Sequence, residues 1–461
     1  VAYYCYLMRC ADGSFYTGWT LDPHRREQQH NQGRGAKYTR LHRPVKLVYV
    51  EEQPDLSSAL KREKAIKKLS HQQKEKMAQG WQDKMEISFA DLTVVSPGRV
   101  NLLGEHVDYN DGLVFPAAID REVTIRVGKR MDDVVYLRAL DLGEEVSFSV
   151  NTLDQKIDID GQPLPTWALY PAGVAWVLLQ HGLRVSGMEA EFTSNLPIGA
   201  GLSSSAALEV GFSVVWEALG DWDLDRMALA RYAQAAEVQY VGLNCGLMDQ
   251  FACANGVAGH ALVLDIRSLQ WRPVPLPAGY KIVIANSMVK HELVGSEYNT
   301  RHQECNEAVE IFQRHLPEVH SLRDVSMPQL LTLRAEFPEN VFKRARHVIS
   351  EIGRVQQAVQ VLEAGEVKAF GELMYATHAS LRDDYAVSCR EIDILVEIAA
   401  GLPGCVGARL TGGGFGGCTV NLVREEAVTE FTHELKQQYL ERTGISAAIF
   451  PCQAADGAHV I

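Results

Sequence analysis

Apolar and polar residues alternate at every second position in short runs along the whole chain, and each run predicts a strand. In the front these are "YYCYLMRC" (3–10) and "FYTGWT" (15–20), with Asp12-Gly13 between them as the turn of a hairpin. Further on, "TVVS" (93–96), "EVTIRV" (122–127), "VVYLRAL" (134–140), "EVSFSV" (145–150) and "YKIVIAN" (280–286) read the same way. Apolar spacing of three and four predicts helices over 204–219, 224–241, 297–312 and 426–439. Two more helices are expected in the front. One spans 23–30 with Asp22 as its cap, and the other covers "LSSALKREKAIKKLS" (56–70) with Leu60, Ile66 and Leu69 on the apolar side. The pattern breaks in "QGWQDKMEISFAD" (79–91), which predicts a junction. Strands and helices intermixed in this way indicate an α+β or α/β architecture.

Charge sharpens the division. Residues 1–86 hold 16 basic and 10 acidic side chains, whereas the remainder holds 29 basic and 48 acidic. A basic front suits a polyanionic partner, and an acidic body argues against bulk nucleic-acid binding there. With 461 residues to place, we expect domains over 1–80, 92–280 and 281–461, with 81–91 as a linker. No run approaches the roughly 18 apolar residues of a membrane span, and "VAYYCYLMRCADG" lacks a signal peptide's basic end and apolar core. A cytoplasmic protein with no membrane partner is expected. Nine cysteines without any C-x-x-C pair fit a reducing compartment better than a disulfide framework or a zinc site.

Four stretches carry candidate chemistry. "GEHVDYNDG" (104–112) crowds Glu105, His106, Asp108, Asn110 and Asp111 onto one turn. "PIGAGLSSSAALEVG" (197–211) leads glycines and serines into an apolar helix, whose unsatisfied N–H groups and dipole suit an anion, although a serine-rich cap would look partly similar. No G-x-x-x-x-G-K-[ST] phosphate loop occurs. "TGGGFGGCTVNLV" (411–423) formally contains G-x-G-x-x-G at Gly412, Gly414 and Gly417. However, "CTVNLV" alternates like a strand, which excludes the dinucleotide fold, and no H-R-D or D-F-G accompanies it as in a protein kinase. What remains is a glycine turn that must approach another loop or a ligand. "NCGLMDQF" (244–251) places Asp249 among apolar neighbours, either as a satisfied buried polar residue or as a carboxylate held against a reacting hydroxyl.

Taken in order, "PGRVNLLGEHVDYNDG" (97–112), "PIGAGLSSSAALE" (197–209), "CGLMDQF" (245–251), "HELVGSEYNTRHQEC" (291–305), "LMYATHASLRDDYAVSCREID" (373–393) and "TGGGFGGCTV" (411–420) resemble the galactokinases, sugar kinases of the GHMP family. The resemblance covers almost everything from about residue 90. It implies an α+β fold of two lobes with the site between them, and ATP-dependent phosphorylation of α-D-galactose at C1, giving galactose 1-phosphate and ADP. By resemblance Asp249 is the catalytic carboxylate and Arg99 its partner, while Glu105, His106, Asp108, Gly246 and Tyr298 bind galactose. Gly199, Gly201, Leu202, Ser203, Ser204, Ser205 and Ala206 would wrap the ATP phosphates, and Ser205 and Glu237 would ligate Mg2+. Residues 412–417 would form the far wall. Such a turn of acceptors suits a hexose, because each ring hydroxyl presents a donor. Val107 stands where these kinases often have threonine, and "MEISFADL" (85–92) replaces or shortens their leading helix.

In the front, "CYLMRCADGSFYTG" (5–18), "PHRREQQH" (23–30) and "ALKREKAIKKL" (59–69) resemble a small α/β GIY-YIG nuclease domain, with "YCY" and "YTG" as degenerate signature tripeptides. Tyr6 and Tyr16 match the motif tyrosines, Arg26 and His30 share a helix face at a spacing of four, and Glu63 matches the metal-binding glutamate. The resemblance implies a divalent metal and an activated water for phosphodiester hydrolysis, with nucleic acid as partner. "GRGAKYTR" (33–40) adds basic and aromatic character. Cleavage and mere binding both stay open, since strand tyrosines often pack and a histidine often caps. Two competing readings of the whole chain are a sugar-responsive regulator that binds galactose and ATP without turnover, and an endonuclease with the kinase as passenger. Galactose and N-acetylgalactosamine are not distinguished.

Overall fold

The computed structural model describes residues 3–86, 92–197, 201–290 and 294–461. It divides into two compact units, Val1–Asp91 and Leu92–Ile461.

The first unit is built on a three-stranded antiparallel sheet in the order Phe15–Thr20, Tyr3–Cys10, Val45–Gln53. Because side chains alternate, the sheet has two dissimilar faces. Cys5, Leu7 and Val48 pack with Ala59, Ile66 and Ala78 on one face, while Tyr6, Met8, Val45 and Leu47 cluster on the other. Met8 lies opposite Tyr16 and Tyr6 opposite Gly18, so both motif tyrosines share the second face. Asp22 caps the helix Pro23–Asn31 by accepting the Arg25 N–H at 2.9 Å. The expected helix at 56–70 is found as Leu56–Lys67, but its apolar side differs from the expectation. Ile66 is buried, whereas Leu60 is 45% exposed and Ala59 faces the core instead. The Cys5 thiol donates to the Ala59 carbonyl at 3.0 Å, which ties that side of the helix to the sheet. The strand Val45–Gln53 and the helix His71–Glu86 were not foreseen. The latter runs through Gly80 because its Gln, Lys, Glu and Met residues are good helix formers and outweigh one glycine. The expected junction is therefore helical as far as Glu86, and the rest of it, with most of "MEISFADL", lies outside the described residues.

In the second unit an eight-stranded sheet follows the path Trp271–Pro275, His260–Asp265, Leu113–Lys129, Met188–Ser194, Val134–Ala139, Glu144–Ser149. The strand Leu92–Leu103 also pairs with the 17-residue Leu113–Lys129, and His459–Val460 returns to pair with Leu92–Leu103. A separate four-stranded antiparallel sheet runs Cys405–Thr411, Gly416–Arg424, Tyr280–Lys290, Ala448–Cys452. One continuous apolar core joins the two. The helix Ser204–Gly220 lies on Leu92–Leu103 and Leu113–Lys129, burying Ala206, Val210, Phe212 and Val214. The helix expected at 224–241 begins at Arg226, capped by Asp225, and opens at Ala236 into a π-helix that ends at Val241. The other two expected helices are found as Val294–Gln313 and Val428–Thr443. "CTVNLV" does lie in a strand, so the glycine run at 412–417 is a hairpin turn and no helix follows it. Two long helices that sequence periodicity did not single out, Glu339–Glu363 and Val367–Ser380, pack together beside Leu92–Leu103. Among the described residues no helix is long and apolar enough to cross a membrane.

Candidate active site

Arg99 projects from the strand Leu92–Leu103 into the interior and is buried. A buried guanidinium needs acceptors for its fork of donors. Its Nε donates to Asp249 Oδ1 at 2.8 Å, Nη2 to Asp249 Oδ2 at 2.7 Å, and Nη1 to the Gly201 carbonyl at 2.7 Å. Asp249 sits in the first turn of the helix Met248–Asn255, where the helix dipole favours a negative charge. Its side chain is 32% exposed, so one side of the carboxylate faces open space. Ser203 donates its hydroxyl to Asp249 Oδ2 at 2.5 Å. Ser203 occupies the cap position of the helix Ser204–Gly220 in a left-handed conformation (φ 57°), yet its side chain does not cap. The first N–H groups of that helix therefore receive no side-chain cap from Ser203. Ser204 and Ser205 are half-buried beside them, and Leu202 and Ala206 are buried. Gly199 lies outside the described residues. A Cβ on Gly412 would come within 3.0 Å of the Gly201 carbonyl, so the hairpin turn of the second sheet abuts the serine loop backbone to backbone.

The turn after Leu103 adopts left-handed conformations at His106 (φ 60°) and Asp111 (φ 56°) around a short 3-10 segment, Asp108–Asn110. Its polar groups do not all face one way. Glu105 is buried, where it pairs with Arg409 and accepts the Gly412 N–H at 3.1 Å, bracing the turn against the glycine hairpin. Fully buried Arg409 requires that counter-charge. Asp111 pairs with Arg267 at 3.2 Å, and the Asn110 amide donates to the His106 carbonyl at 3.2 Å. Asp108 and the Nε2 atom of His106 are thereby left with no side-chain partner among the described residues. Burial pushes His106 down to about 3, so its ring is neutral, with Nδ1 3.0 Å from the Tyr109 hydroxyl. Burial, then the charges of Asp249 and Glu105, push Asp108 up to about 7. Gly246 closes on Asp108 so tightly that a Cβ there would lie 1.7 Å from Oδ2. Tyr298, from the helix Val294–Gln313, sets its ring 5.6 Å from His106 and 5.4 Å from Tyr109. The charges of Asp108 and Asp249 both act on its buried phenol. A cavity of about 440 Å³, bordered by Tyr109, Asn244, Cys245, Tyr298 and His302 among others, opens on this side.

Glu237 is carried by the π-helix Ala236–Val241 and is buried, with Ser205 near enough to favour its charged form. Its Oε2 accepts from the Gln250 amide at 2.6 Å and from the Cys245 thiol at 3.3 Å. Sequence reading had missed Gln250, Arg409 and Glu351. Glu351, fully buried, accepts the Gly104 N–H at 2.7 Å, Arg354 Nε at 2.6 Å and the Thr377 hydroxyl at 2.8 Å, and so anchors the base of the turn. Only Arg409 offered a signal, a single charge in the otherwise uncharged strand Cys405–Thr411.

In the first unit, the shared sheet face brings Tyr6, Tyr16 and His30 together. The Tyr6 hydroxyl lies 3.3 Å from His30 Nε2, and the Tyr16 and His30 rings are 5.0 Å apart. His30 is completely buried, with Nδ1 2.6 Å from the Thr39 hydroxyl. Burial, and then Arg26, lower it to about 4, which leaves it neutral. Arg26 donates to Gln29 at 2.9 Å and lies near enough to offset part of the burial that raises the Tyr6 phenol to about 12. Glu63, 16% exposed and paired with Lys67 at 2.7 Å, is close enough for its charge to act on Tyr6.

Known families match both units. The GIY-YIG catalytic domain model matches residues 2–76, and the galactokinase galactose-binding signature matches 85–129. The GHMP kinases N terminal and C terminal domain models match 170–257 and 358–441. The chain is 46% identical over 366 residues to a galactokinase of Roseiflexus sp. (strain RS-1), covering 79% of this chain and 92% of the relative. It is 44% identical over 362 residues to one of Chloroflexus aurantiacus, covering 78% and 91%. A crystal structure of Lactococcus lactis galactokinase complexed with galactose matches with a TM-score of 0.77 at 35% identity, over 82% of this chain and 98% of that one. Methanococcus jannaschii mevalonate kinase shares the fold alone, with a TM-score of 0.55 at 19% identity over 79% and 98%.

Proposed function

Because the chain belongs to the galactokinase family of GHMP kinases, we propose that Asp249, held by Arg99 below the uncapped start of the helix Ser204–Gly220, accepts the C1 hydroxyl proton of galactose as the γ-phosphoryl of ATP is transferred. The products are galactose 1-phosphate and ADP. The two-pronged Arg99 contact carries this reading, since it aims one carboxylate at the mouth of an anion site. Catalysis by positioning needs little else from the protein. Asp108 and His106 Nε2 take up sugar hydroxyls, the Gly246 backbone and the Tyr298 ring confine the hexose, and Glu105 supports the turn from behind. The amides from Gly201 to Ala206, with Gly199, wrap the phosphates.

A divalent cation fits the donors present. Ser205 and Glu237 supply a hydroxyl and a carboxylate, and among the described residues no three His, Cys, Asp or Glu side chains could hold a metal unaided. Two oxygen donors suit Mg2+ that arrives with a nucleotide and keeps phosphate and water ligands. When bound, it neutralises charge on the β- and γ-phosphates. The test is ADP release by the full-length chain with ATP, Mg2+ and a sugar panel. Turnover that depends on galactose is expected; galactose binding without turnover would replace the kinase reading with that of a sugar-responsive regulator.

For the first unit we propose metal-dependent phosphodiester hydrolysis of nucleic acid, with Glu63 as metal ligand and Arg26 at the phosphate. The convergence of Tyr6, Tyr16, Arg26 and His30 on one face favours it, and a single carboxylate suits a cation completed by water and phosphate. Nicking of supercoiled DNA with Mg2+ or Mn2+ should disappear in Glu63→Ala. Retention by the wild-type chain without nicking would reduce the unit to a binding module.

A further inference from the structure

Gln250 follows Asp249 in the helix Met248–Asn255 and so points about 100° away round the helix axis. It is completely buried. Its amide nitrogen donates both hydrogens, one to Glu237 Oε2 at 2.6 Å and one to Glu209 Oε2 at 2.9 Å. Glu209 is also fully buried and stands four residues after Ser205 on the helix Ser204–Gly220, hence on the same helix face. One planar amide thus ties together the helix of the serine loop, the π-helix that carries Glu237, and the helix that carries Asp249. The Glu237 carboxylate has few other fixed partners. Cys245 is a weak donor at 3.3 Å, and the Ser205 hydroxyl rotates. The amide could not hold Glu237 from one side only, because its own direction is set by the second bond to Glu209.

We propose that Gln250 is a positioning residue for the cation site, with Glu209 as its anchor. The amide fork fixes the direction of the Glu237 carboxylate while adding no charge to it. This inference rests on the reading of Ser205 and Glu237 as cation ligands. Loss of a partner that orients a metal ligand typically weakens the metal by about 10- to 100-fold.

The test is Mn2+ binding to the full-length protein with a non-hydrolysable ATP analogue, read by electron paramagnetic resonance, beside kcat and KM for galactose. Gln250→Met, which keeps length without the N–H groups, should weaken Mn2+ by about tenfold or more and leave the galactose KM nearly unchanged. Glu209→Gln keeps an acceptor oxygen for the fork and should hold Mn2+ close to the wild-type affinity, whereas Glu209→Leu should behave like Gln250→Met. Should Gln250→Met misfold by circular dichroism, Gln250→Asn, which retracts the amide by one methylene, takes its place with the same expected direction. Glu237→Gln separates the two claims. If it leaves Mn2+ affinity unchanged, the ligand reading is wrong. If it weakens Mn2+ while the Gln250 variants bind like wild type, the ligand reading stands and the positioning role is overturned.

Discussion

Asp249→Asn replaces one oxygen of the carboxylate by an NH2 group of the same shape. In the native site that carboxylate accepts three hydrogen bonds, two from Arg99 and one from Ser203. Asparagine keeps a single carbonyl, enough for one guanidinium bond, and its NH2 then faces a donor. Ser203 can rotate and accept from that NH2 instead. The net loss is one charge-assisted bond, about 1.5–3 kcal/mol. The cost stays below the roughly 3–5 kcal/mol of an uncompensated buried charge, because Arg99 still donates to Gly201 and the charge of Glu105 still acts on it. The protein should therefore stay folded at 25 °C while losing the group that takes the proton, and kcat should fall by about 10²–10⁴-fold. A coupled ADP assay at saturating galactose and ATP measures the rate, calorimetry measures galactose binding, and urea unfolding measures stability. A folded variant that binds galactose and retains kcat within about tenfold of wild type would refute Asp249 as proton acceptor.

Three further outcomes are expected. Gly246→Ala drives a Cβ to within 1.7 Å of Asp108 Oδ2, and kcat/KM for galactose should drop by roughly 10²-fold with little change in the ATP KM. Glu351→Ala strands Arg354 and two further donors, and should cost about 3–5 kcal/mol by urea unfolding. Burial opposes ionisation of Glu351, but Arg354 leads the charges that outweigh it and hold it near 2, so its stabilisation is complete above the ordinary 4.5 and fades as pH falls toward 2. Glu351→Gln should flatten that acid limb. Asp108 has the opposite sign. Its value is raised from 3.8 to about 7, so its contribution to stability is complete below 3.8 and is lost as pH rises through about 7. Over that same rise the ionised carboxylate becomes a better acceptor, and galactose affinity by calorimetry should increase in wild type but not in Asp108→Asn.

Local patterns told most of the architecture and little of the wiring. Alternation in "CTVNLV" was enough to separate a hairpin from a dinucleotide fold, because a strand and a helix differ in period. The same reasoning misplaced Leu60, since a helical apolar stripe one residue wide of the true one looks equally good in sequence, whereas the core takes Ala59 and leaves Leu60 45% exposed. The helix at 226–235 was legible, but not its widening into a π-helix, which shifts the backbone without changing residue type. At the site, the motifs drew attention to the serine loop and the acidic turn, but no pattern says which of their polar groups find partners within the chain. Glu105 turns toward Arg409 and Ser203 toward Asp249 because of partners far away in the chain.

Those distances along the chain have a kinetic meaning. Asn101 is joined to Thr411 across 310 positions, Glu105 to Arg409 across 304, Gly104 to Glu351 across 247 and Arg99 to Asp249 across 150. Loop closure must precede the reward of such contacts, so the polar lattice is among the last things to form. Recovery of activity after dilution from denaturant should accordingly lag the return of helical signal. A substrate has no local subset of groups to recognise in a half-folded chain, so it selects only the finished unit, and at 100 times its dissociation constant it would add about 2.7 kcal/mol to the stability of the whole.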